Sequence, residues 1–107
     1  MAQSNKKRGF RPIKIKNIDF NWRFQGTIDV RPNGHKNNIL TIDFGWYDVW
    51  EYVNDIENEP PEFEPKIVTP KFVSDSIKFA LNNGWNKELP NNKLNIIYRN
   101  KKHKIID

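Results

Sequence analysis

Cysteine is absent from the 107 residues. That excludes disulfide staples, zinc–thiolate centres and thiol nucleophiles. The only histidines, His35 and His103, lie far apart without ligand spacing, and both read as isolated surface residues near turns. The five glycines are scattered, so no loop is built to cradle phosphate. The serines, Ser4, Ser74 and Ser76, lack the flanking glycines of a nucleophile elbow. The acids do not form a calcium loop. No apolar run approaches the roughly 20 residues a membrane span requires. The basic start, Met1–Arg11, has no apolar stretch behind it of the kind a secretory signal carries. These absences lead to the expectation of a reduced, cytoplasmic protein with no cofactor, no metal and no membrane contact. Catalytic residues are expected to be none, and the protein not to be an enzyme.

The length suits one domain with a modest core and a stability on the order of 5–10 kcal/mol. Four Trp, three Tyr and seven Phe make the chain 13% aromatic, which argues against disorder because large rings anchor cores. The net charge of +5 is unevenly spread. Residues 1–42 carry nine Lys or Arg and two Asp. Residues 43–65 carry eight acids and no base, and residues 66–107 nine bases and three acids. A basic chain suits phosphate polymers or acidic proteins, but the central block would repel a phosphate chain lying beside it.

Residues 1–11 read as a flexible basic tail, and 12–107 as a single α+β domain. Ile13 and Ile15 alternate with Lys14 and Lys16, a short strand. Phe20, Trp22 and Phe24 alternate with polar residues, the clearest strand signal in the chain. Ile28 and Val30, then Leu40, Ile42 and Phe44, continue the pattern, with Asn33-Gly34 as a turn between them. Gly45–Val53 is ambiguous between strand and helical turn. Asn54–Lys66 is proline-rich and acidic, an irregular loop ending in a short strand at Ile67-Val68. Thr69 and Pro70 open a helix of one apolar face, Val73, Ile77, Ala80 and Leu81, closed by Gly84. Leu94, Ile96 and Tyr98 form a last strand, followed by a basic turn and an apolar end at Ile105-Ile106. The fold class is therefore α+β: an antiparallel β-meander with one amphipathic helix packed on the sheet. The expected core is Ile15, Phe20, Trp22, Phe24, Ile28, Val30, Leu40, Ile42, Phe44, Val73, Ile77, Leu81, Trp85, Ile96 and Tyr98.

Two surfaces emerge as candidate sites. Trp46, Tyr47, Trp50 and Tyr52 crowd next to Asp55, Glu57 and Glu59, and so small a core cannot bury every ring. Aromatic anchors beside a charged rim suit a protein partner. The alternative is nucleic acid held by the basic ends: Lys6, Lys7, Arg8 and Arg11 with Arg99, Lys101, Lys102 and Lys104.

Thr69-Pro70, Val73, Ile77, Ala80-Leu81 and Gly84-Trp85 spell TPxxVxxxIxxALxxGW. This segment resembles the C-terminal part of a group of small, uncharacterised bacterial proteins. In these a Trp on an early strand precedes a "vDF…W" stretch, matched here by Trp22, Ile42-Asp43-Phe44 and Trp50. The similarity runs from about Ile13 to Tyr98, with Lys87 where the group usually has a proline. It implies an accessory or immunity-type protein that blocks a partner by surface complementarity.

Overall fold

The computed structural model describes residues 9–106; Lys6, Lys7 and Arg8 of the predicted tail lie outside the described residues. Six strands form one sheet in chain order: β1 (Arg11–Ile15), β2 (Ile18–Gln25), β3 (Thr27–Pro32), β4 (Asn37–Asp43), β5 (Asn91–Arg99) and β6 (Lys102–Ile106). The one α-helix among the described residues, α1 (Pro70–Asn82), packs against β1, β4 and β6. The α+β expectation holds. Strands β1 to β4 are an antiparallel meander, but β4 and β5 run parallel. The helix forces that difference: a crossover through α1 returns the chain to the same end of the sheet. β1 begins at Arg11, one residue inside the predicted tail.

Strand alternation assigns the two faces of the sheet. Phe20, Trp22 and Phe24 pair with Pro32, Val30 and Ile28, and Val30 and Ile28 pair with Leu40 and Ile42. These face α1, as do Leu94, Ile96 and Tyr98, which continue the row onto β5. Two tight turns, Lys16-Asn17 and Asn100-Lys101, place both central residues at positive φ. This is the two-residue hairpin geometry that follows the twist of the flanking strands. The second turn creates β6, so the expected basic turn and apolar end are a hairpin and a sixth strand. Ile67-Val68 is not a strand. Two single 3₁₀ turns, Val49–Tyr52 and Ile56–Asn58, lie in the segment between β4 and α1.

The helix forms where its caps demand. Thr69 Oγ1 accepts from the Phe72 amide at 3.2 Å, and Pro70 stands where no backbone donor is needed. Val73, Ile77 and Ala80 are fully buried against the sheet. At Gly84, φ is +107°, and the chain doubles back so that the Trp85 amide donates to Ala80 O at 3.0 Å. The Trp85 ring then stacks on Phe20, 5.8 Å between centroids. Its indole Nε1 donates to Asn38 Oδ1 at 2.8 Å. Asn38 Nδ2 donates to the carbonyls of Asn86 and Leu89, at 2.8 and 2.9 Å. One fully buried amide thus ties β4 to the link between α1 and β5.

The core departs from the expected set at four residues. Phe24 is 39% exposed because it stands at the end of β2, beyond the reach of α1. Leu81 and Tyr98 are half-buried, and Ala80, on the helix face nearest the sheet, is a core residue.

Candidate functional site

The segment after β4 leaves the sheet at Gly45 and carries the acid-rich block. Its inner side is a framework of rings. Phe63 meets Phe44, Tyr47 and Trp46 at 5.9, 5.2 and 6.4 Å. Tyr47 packs edge-on to Tyr52 at 5.5 Å, and its hydroxyl donates to Glu59 Oε2 at 2.8 Å. Desolvation first, then Glu59, raises the Tyr47 pKa, so the phenol stays protonated. Trp46 leans edge-on against Phe24 at 5.5 Å.

The outer side of the segment is apolar and exposed. Asp48 caps the first 3₁₀ turn through the Trp50 amide, 3.0 Å. That turn projects Trp50, 74% exposed, with Val49 at 47% and Val53 at 56%. Ile56, on the next turn, is 73% exposed. Glu51, Asp55 and Glu57 surround them, all exposed. A Trp and three β-branched residues in water, ringed by acids, form a contiguous stretch of the kind that marks interaction sites.

The seven residues assigned to partner contact therefore separate by role. Trp50 and Glu57 face solvent freely. Trp46 is 40% exposed and shared between surface and ring cluster. Tyr47, Tyr52 and Glu59 build the framework. Asp55 accepts from Asn58 Nδ2, at 3.0 and 3.1 Å, within its own turn. Val49, Val53 and Ile56 were not singled out from sequence. Their one available signal was three β-branched apolar residues inside an acidic, proline-bounded stretch.

Among the described residues, the basic groups of the two ends do not share one surface. Arg11 sits on β1, with its guanidinium 5.4 Å from the centre of the Trp22 ring, on the helix side of the sheet. Arg99, Lys102 and Lys104 lie on β5 and β6, at the opposite edge and on the other face, and Lys101 is in the turn between them. Five strand spacings of about 4.8 Å separate the two edges. Arg99 is moreover a clamp: its Nη1 donates to Asp43 O at 2.8 Å and its Nη2 lies 3.5 Å from Asp43 Oδ1.

Ser76 and His103 are 2.8 Å apart, Oγ to Nε2. Ser76 is fully buried, and its one hydroxyl hydrogen goes to Phe72 O at 2.9 Å. The hydroxyl therefore accepts from His103 Nε2–H, the reverse of the polarity that activates a nucleophile. The pair joins β6 to α1. His103 is not an isolated surface residue: its ring is packed by Phe72, Phe79 and Tyr98, at 6.0, 5.1 and 4.7 Å. Burial lowers its pKa, with Asp75 opposing. Among the described residues, no three His, Asp or Glu side chains gather as a metal site, and no helix is long and apolar enough to cross a membrane.

A cleft of about 450 Å³ lies beside the ring cluster, walled by Trp22, Phe24, Phe44 and Trp46 with Arg11 and Lys66 at its rim. No family model, curated protein or solved structure matches the chain.

Proposed function

We propose that this is a non-catalytic cytoplasmic binding protein, of the accessory or immunity kind, which engages and blocks a partner protein with the 3₁₀ segment between β4 and α1. The observation that carries this reading is the exposure of Trp50, at 74%, together with Ile56 at 73%. Leaving such side chains in water forfeits about 1.5–3 kcal/mol each relative to burial. Asp48 and the Tyr47–Glu59 hydrogen bond hold the segment in its projecting form, so little ordering cost remains on association. The acidic rim selects a partner with an apolar pocket edged by Lys or Arg.

The test combines capture with substitution. Tagged protein is recovered from its host with nuclease present, and the stoichiometric partner is titrated against Trp50→Ala and Ile56→Ser. Trp50→Ala is expected to weaken binding by about thirtyfold, the scale of a Trp hot spot. Its folding stability should stay within about 0.5 kcal/mol of the parent. Asp55→Asn with Glu57→Gln should mainly slow association and reduce its salt dependence. Unchanged affinity in Trp50→Ala and Ile56→Ser would rule this surface out.

A further inference from the structure

The sheet has a second face, which α1 does not cover. Strand register places Arg31 of β3, Ile39 of β4 and Lys93 of β5 in one row across it. Asp29, Thr41 and Asn95 occupy the next row, and Asp43, Ile97 and Lys104 the one beyond. Lys102 completes the face at the β5–β6 turn. Its acids are already engaged: Asp19 with Lys14 at 3.6 Å, Asp29 with Arg23 at 3.7 Å and Asp43 with Arg99 at 3.5 Å. Among the described residues, Arg31, Lys93, Lys102 and Lys104 form no ion pair, although Asp29 acts on Arg31 from the same strand. The acidic segment packs its Phe63 ring on Phe44, which in turn meets Phe72 on the helix side, and its Glu62 and Glu64 come near the sheet only at the Arg99–Asn100 end.

We infer that this open face binds single-stranded nucleic acid, with those four cations on phosphates and the centre, where Asp29 and Asp43 are held by Arg23 and Arg99, under the bases. Charge complementarity selects a polyanion, and the shape selects a single strand. No helix or ribbon projects from the face to enter a duplex groove. Ile39 and Ile97 are half-buried and offer apolar surface to unstacked bases. Phe10 is held there beneath Arg31, 3.8 Å from guanidinium carbon to ring centre, with Arg23 at 4.6 Å. A guanidinium plane over a ring makes a stacking platform. This site is separate from the protein-contact segment, and either can fail alone.

The probe is a fluorescein-labelled 20-nucleotide oligothymidylate, titrated by anisotropy with the full chain. Four neutralised phosphates predict a slope of about −3 in log K against log salt, or about fiftyfold weaker binding at 200 mM than at 50 mM. Arg31→Gln/Lys93→Gln/Lys102→Gln/Lys104→Gln is expected to flatten the slope and weaken binding at least tenfold. Because Arg31→Gln uncovers Phe10, the three-lysine variant is measured as well and should remove most of the slope. Lys6→Gln/Lys7→Gln/Arg8→Gln should retain most of the binding. No binding at 50 mM salt, or binding lost in the tail variant but kept in the three-lysine variant, would overturn the inference. So would an oligoglutamate peptide that competes as well as oligothymidylate at equal charge, which would mark an acidic protein as the occupant.

Discussion

Replacing Asn38 by Ala removes one side chain and disturbs three partners. Trp85 Nε1 loses its acceptor, and the carbonyls of Asn86 and Leu89 lose their donors. Trp85 is 3% exposed, so its orphaned N–H costs about 1–3 kcal/mol. The carbonyls belong to exposed residues and can turn to water, adding about 1 kcal/mol between them. The small cavity left beside Trp85 contributes a further fraction. The total expected is about 3 kcal/mol, a large part of the stability of a domain this size. Urea unfolding followed by Trp fluorescence measures it. With an m-value of about 1.5 kcal/mol/M, the midpoint should fall by about 2 M at unchanged m. Trp85→Phe orphans Asn38 Oδ1 instead, so Asn38→Ala/Trp85→Phe should be less destabilised than the sum of its parts by at least about 1 kcal/mol. A loss below 1 kcal/mol in Asn38→Ala, or strict additivity in the double variant, would refute the view that this amide pins the α1–β5 link.

Two other perturbations read different parts of the fold. His103 has its pKa lowered by burial, so the folded state resists protonation. Its contribution is complete above the ordinary value of 6.5 and is lost as pH falls through the lower folded value. Chemical denaturation between pH 7.5 and 5 should show stability declining with acid, and His103→Leu should flatten that decline. Gly45 sits at φ +86°, and an added Cβ would lie 3.4 Å from Arg99 Cζ. Gly45→Ala should cost about 1–2 kcal/mol, a fall in melting temperature of roughly 5–10 °C by calorimetry.

How legible the fold was depended on how local each cause is. The helix could be bounded because Thr69, Pro70 and Gly84 act on their own neighbours. β2 was visible because Phe20, Trp22 and Phe24 keep strict alternation. β6 was missed because Asn100-Lys101 lacks the glycine that usually signals a two-residue turn, although both residues adopt positive φ. The parallel pairing of β4 with β5 depends on where the helix returns the chain, which no local pattern encodes. The site divided in the same way. Trp50 was identifiable as an aromatic too many for the core, but Tyr47 and Tyr52 have the same residue-level signature and serve the framework. Only the packing of Phe63 and the Glu59 hydrogen bond tells them apart. Of the basic residues near the chain ends, Arg11 stands apart from Arg99, Lys102 and Lys104 across the sheet, because nearness to the chain ends says nothing about which face a strand residue occupies.

A sheet with an open face also has two open edges, and those edges are where amyloid-like growth would start. β1 carries Pro12, which lacks an N–H, and edge strands tolerate proline because the missing donor can face solvent. β6 is only five residues long, and an incoming strand would have to settle beside Lys102 and Lys104. Both are devices by which β-proteins discourage edge-to-edge addition. The lysines assigned to phosphate binding would then have a second effect. Neutralising them to test that assignment also removes a guard against aggregation, so such variants are best handled dilute and checked by light scattering.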